Sequence, residues 1–190
     1  MENNELDLTS IFSEVNELIN QTDLSQVSAE SAGFEDLPEG YYLTEVVESK
    51  IGRSKKTNKP MVSIRFKIVG DGYNLSGDVN DTTNDLFESI KGVANRQIFK
   101  HWLLDSSINL KRFVSDMKKF EDPDEIGKSL LPEEAWTKAE TMNDSVEVLS
   151  QLNSRIWIHN KVTTKDDGTS SSWIDLESFN RASKLGLPVN

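Results

Sequence analysis

The ten residues Ile51 to Pro60, IGRSKKTNKP, hold Arg53, Lys55, Lys56 and Lys59 and no acid. Cations packed this closely suit the neutralisation of a phosphate chain. More follow downstream: Arg65 and Lys67, Lys100 beside His101, Arg155 and Lys161, and Lys165 in a later polar stretch. Trp157 and Trp173 are interleaved with the last of these. Holding a single nucleic-acid strand takes both residue types, cations that follow the backbone and flat side chains on which bases stack, at about 1–3 kcal/mol per base. The candidate nucleic-acid-binding set is therefore Arg53, Lys55, Lys56, Lys59, Arg65, Lys67, Lys100, His101, Arg155, Trp157, Lys161, Lys165 and Trp173.

Each has a plainer use. A four-cation loop also serves as a solvated hairpin. Trp157 divides between a binding platform and packing under inserted helices. Trp102 shares a strand face with Ile98 and reads as core, and Trp136 as the anchor of a short helix. The faces of Tyr41, Tyr42 and Phe99 turn on register, since a one-residue slip exchanges them.

Other chemistries find less support. Gly127-Lys128-Ser129 ends like a phosphate-binding loop, but Asp122 stands where that loop needs its first glycine. Asp166-Asp167-Gly168 lacks the alternating oxygen ligands of a calcium loop. With two histidines, His101 and His159, no cysteine and no HExxH spacing, a zinc site, a thiol nucleophile and disulfides drop out together. The expectation is a protein that is not an enzyme and takes no metal or cofactor.

The elements that must carry these residues follow from periodicity. Leu8, Ile11, Phe12, Val15, Leu18 and Ile19 recur at helical spacing between Leu6 and Asn20. Residues 21 to 36 read as a linker, and the domain starts near Phe34. Strands are predicted over Tyr41 to Ile51, Met61 to Val69, Arg96 to Leu104, Arg155 to Thr163 and Trp173 to Glu177. A helix striped by Leu110, Phe113, Val114, Met117 and Phe120 follows the third strand, behind Ser106 or Ser107 as a cap. A short helix is predicted from Asn84 to Lys91, and two more between 124 and 152, one opened by Pro132 and one near Ser145. Residues 183 to 190 read as a short tail.

Charge divides along the same lines. The net charge of -11 looks unfavourable for a nucleic-acid partner, yet residues 1 to 40 hold ten acids and no Lys or Arg. Residues 41 to 119 hold nine acids against fourteen bases, and residues 120 to 190 thirteen against seven. The acid is concentrated ahead of a body with a basic centre. With no apolar run of membrane-spanning length and no leader-like N-terminus, a monomeric cytoplasmic protein is expected.

Five strands with a helix between the third and fourth is the order of the OB-fold, a small, partly open five-stranded barrel that binds oligonucleotides or oligosaccharides. The domain would span residues 34 to 182, with insertions near 70–92 and 121–152. The segment Phe34 to Tyr42, the basic Ser54 to Met61 and the strand Val62 to Ile68 resemble the opening of bacteriophage single-stranded-DNA-binding proteins of OB-fold type. Arg96-Gln97-Ile98-Phe99, the Leu110 to Phe120 helix and the hairpin from Ile156 to Phe179 fall in that family's order. The resemblance implies a non-catalytic protein that coats single-stranded DNA in phage replication or recombination. It departs in carrying its acid at the N-terminus, from which residues 1–33 would recruit replication or recombination proteins, cover the basic face or only solubilise. The alternative is an adaptor of a replication complex, docking through the barrel and the Leu8/Phe12/Val15 face.

Overall fold

The computed structural model describes residues 2–20, 37–75, 87–122, 124–166 and 168–188. Two long strands form its spine: β1 (Gly40–Arg53) and β2 (Pro60–Leu75), an antiparallel hairpin. The far edge of β2 pairs with β3 (Phe87–Ile90) along its second half and β4 (Gln97–Leu103) along its first. The other edge of β1 takes β7 (Arg155–Thr164), which pairs in turn with β8 (Ser170–Glu177). The protein is thus mainly β, with a six-stranded antiparallel sheet and a separate hairpin of β5 (Glu121–Asp122) and β6 (Glu125–Ser129). β1, β2, β4, β7 and β8 are the five strands expected. Among the described residues β4 and β8 form no ladder with each other, so the sheet is not a closed barrel.

Two irregularities, the first with its extra residues on β2 between Ile68 and Gly72 and the second a bulge of β1 between Val46 and Glu48, let the hairpin bend around the core. Tyr42, Thr44 and Val46 point inward, and after the second bulge the phase flips, so that Ser49 and Ile51 do. Opposite them lie Val62, Ile64, Phe66 and Ile68 of β2, all buried, with Ile156 and Ile158 of β7. Gly72 faces Tyr42 because the ring occupies the place of a side chain: a Cβ there would stand 2.2 Å from Tyr42 Cε1.

Helices close the open side of this curved sheet. α1 (Glu2–Asn20) inserts Ile11 and Val15, α2 (Ser107–Met117) inserts Phe113 and Met117, and α3 (Ala139–Gln151) inserts Met142, Val146 and Leu149. The Lys138 N-cap of α3 makes no side-chain cap, and Asn16 Oδ1 of α1 accepts from Ala139 N–H at 3.0 Å instead. α1 is therefore a built part of the core rather than an appendage in front of a domain starting at Phe34. The Leu8/Phe12/Val15 face expected to meet partners is turned mostly inward, with Leu8 left exposed.

Several expectations are corrected. The helix predicted to end at Lys91 is strand from Phe87 to Ile90, because β2 runs past Val69 to Leu75 and offers an edge to pair with. Residues 84–86 of that helix, the linker 21–36 and Phe34 lie outside the described residues. The two helical pieces expected between 124 and 152 are present, as a 3₁₀ turn at Glu133–Trp136 opened by Pro132 and as α3 with Ser145 in its middle, and only β6 before them was not expected. Residues 183–185 of the expected tail belong to α4 (Phe179–Leu185), which Gly186 ends in the left-handed conformation. No helix among the described residues is long and apolar enough to cross a membrane.

Candidate nucleic-acid interface

The basic loop is held as a tight turn. Ser54 N–H donates to Lys59 O at 2.9 Å and Asn58 N–H to Ser54 O at 2.8 Å, with Asn58 at φ 55. Lys55 and Lys56 are exposed on it. Its flanking cations are engaged: Arg53 by the carboxylate of Glu14 on α1, and Lys59 by Asp105 at 2.5 Å. Asp105 lies two residues before α2, so the loop is anchored at the start of that helix.

On the outer face of the sheet, β2 presents Ser63, Arg65 and Lys67 and β4 presents Phe99 and His101. The Phe99 and His101 rings lie 20° from parallel with centroids 6.5 Å apart, and Ser63 Oγ is 2.7 Å from His101 Nδ1. Arg65 reaches Glu48 at 3.2 Å and Lys67 pairs with Glu45. Ion pairs at the surface that stay in contact with solvent contribute only about 0–1 kcal/mol. Phosphates could displace those carboxylates at low cost.

Lys100 is not on that face. Adjacent strand residues point to opposite sides, so Lys100 turns inward with Ile98 and Trp102 where His101 turns out. Its ammonium donates to Ile174 O of β8, lies 3.6 Å from Asp116 and sits over the Trp102 ring. Burial, chiefly, pulls its pKa below the ordinary lysine value, against Asp116 and Asp175. One side chain thus spans the seam between the two strands that do not pair.

Trp157 requires the largest correction. It does lie on the outer face, opposite Leu43 of β1, but it is 1% exposed and offers no ring to a base. Ala182 of α4 and Leu187 just after it pack over that end of the sheet, with Tyr41, Tyr73 and Phe87 around them. Trp173, on β8, is 40% exposed and sits opposite Lys161, which pairs with Asp175. Arg155 is exposed opposite Glu45, and Lys165 is exposed in the β7–β8 turn.

Ten of the thirteen predicted residues fall in three places: the loop (Arg53, Lys55, Lys56, Lys59), the outer face of β2 and β4 (Arg65, Lys67, His101), and the seam between β4 and β8 (Lys100 and Trp173, with Lys161 of β7 beside it); Arg155, Trp157 and Lys165 lie apart from these. The seam opens as a cleft of about 560 Å³ floored by α2. Ile108, Lys111, Arg112 and Ser115 line it, none of them in the candidate set. They recur at i, i+3, i+4 and i+7, the polar counterpart of the Phe113/Met117 stripe, and this spacing is the signal that could have found them. No family model matches the chain, and no curated protein matches it either.

Proposed function

We propose that the protein binds single-stranded DNA without reading its sequence, using an OB-type strand order left open between β4 and β8, and serves phage DNA replication or recombination as the resembled family does. One observation carries the binding. Among the described residues, Phe99 and Trp173 are the only Phe, Tyr or Trp side chains outside both apolar clusters, and they stand on the two strands that border the seam. Aromatic rings withheld from the apolar clusters, beside cations held by ion pairs at the surface, are what stacking and phosphate neutralisation require. Anisotropy titration with a labelled oligo-dT tests it at about 50 and about 200 mM salt. Binding at the lower salt, weakening with a slope of about -0.7 per phosphate neutralised, supports the reading; no binding at low salt ends it.

A further inference from the structure

We infer that the cleft between β4, β8 and α2 seats one unstacked nucleotide of the bound strand, its base against Trp173 and Ile108 and its phosphate on Lys111 and Arg112. The inference rests on single-strand binding and adds a site beside the outer face of β2 and β4, with His101 on the lining between them. Size comes first: about 560 Å³ is in the range of pockets that enclose one small ligand, too little for a run of bases. Its walls come next. Ile108 and Trp173 are two of the few large apolar side chains left exposed, 39% and 40%, and both line this cleft.

Charge selects the ligand. Around the cleft stand the carboxylates of Asp116 and Asp175, and both are already occupied. Asp116 accepts from Trp102 Nε1 at 2.9 Å and from Lys119 at 2.8 Å, and Asp175 pairs with Lys161. Lys111 and Arg112, exposed on the same helix face, have no carboxylate partner among the described residues. A ligand with one flat apolar face and one anionic end satisfies both halves, and a nucleotide within a strand is such a ligand. The basic loop, tied by Lys59 to Asp105 at the start of α2, would lead the strand toward the cleft.

The test uses the full chain and oligo-dT at low salt, with Lys111→Glu/Arg112→Glu beside a charge-matched control, Lys128→Glu/Lys184→Glu, on β6 and α4. The cleft pair should lose about tenfold or more in affinity and the control much less. Tryptophan quenching by oligo-dT should disappear in Trp173→Phe, and Trp173→Ala should weaken binding roughly 5- to 150-fold. Thermal melts confirm that each variant is folded. If oligo-dT binds the wild type, but the cleft pair matches the control and the quench persists in Trp173→Phe, the cleft is not the site while single-strand binding stands. If the wild type does not bind, both readings fall.

Discussion

Arg53 and Glu14, 39 residues apart, meet fork to fork: Nη1 donates to Oε2 at 2.9 Å and Nη2 to Oε1. Ser10 Oγ accepts from the same guanidinium at 3.2 Å, and Asn58 O from the loop itself at 3.0 Å. That hydrogen bonding holds the Glu14 carboxyl below the usual range. The most acidic part of the sequence thus reaches the most basic loop through one helix.

Glu14→Gln should raise affinity for oligo-dT by about two- to tenfold at low salt, because it removes a competing carboxylate, and the gain should shrink as salt screens it. Titration of the variant and wild type at two salt concentrations reads this directly. Deleting residues 1–33 is a poorer test, since it strips Ile11 and Val15 from the core.

Charge reversal of the loop, Lys55→Glu with Lys56→Glu, should weaken binding and flatten the salt slope by roughly 0.7 for each phosphate the loop no longer neutralises. An unchanged slope would remove the loop from the binding track.

The two outer-face tryptophans should separate cleanly in urea unfolding. Trp157→Ala empties a site packed by Tyr73 and α4 and should cost about 3–5 kcal/mol. Trp173→Ala should change stability by no more than about 0.5 kcal/mol.

His159 is half buried and stacked on Tyr41, with centroids 4.1 Å apart. Burial first, then the Lys161 ammonium, lowers its pKa from 6.5, while Glu39 and Asp175 oppose. The unfolded chain therefore takes up this proton at higher pH than the folded one. Stability should be full above about 6.5 and fall as pH drops from there toward the folded value. Urea midpoints across that window should show the step, and His159→Phe should abolish it.

Gly72→Ala would press a methyl group into the Tyr42 ring, which cannot swing away because its hydroxyl donates to Pro38 O at 2.7 Å. A loss of about 1–3 kcal/mol is expected, read as a lower urea midpoint.

Local periodicity makes much of this fold legible. Alternation from Met61 to Val69 and from Arg155 to Thr163 assigns strands correctly, and the Phe113/Met117 stripe assigns α2. Long-range partners decide the rest. Alternation puts Trp157 on the correct face, but only α4, folding back from the last residues, determines that this part of the face is covered. Leu86, Phe87 and Ile90 carry helical spacing, yet the extended edge of β2 captures Phe87–Ile90 as strand. The inward turn of Lys100 is legible in the alternation: with Ile98 and Trp102 inward, the residue between them must also turn inward, and grouping it with its neighbour His101 is what misplaces it among the outer cations. Nothing local to Glu14 or Arg53 predicts their pairing.

Unpaired strand edges invite strands from other molecules, and proteins blunt them with inward-pointing charge. Lys100 does so here, on β4 and against β8. A foreign β-strand entering the seam would have to strip that ammonium of Ile174 O and leave a cation among its own amide ladder. A nucleic-acid strand brings no ladder to complete and carries the opposite charge. On the proposed reading the opening would admit a polyanion, and the same lysine sets it against the stepwise addition of protein strands that builds fibres.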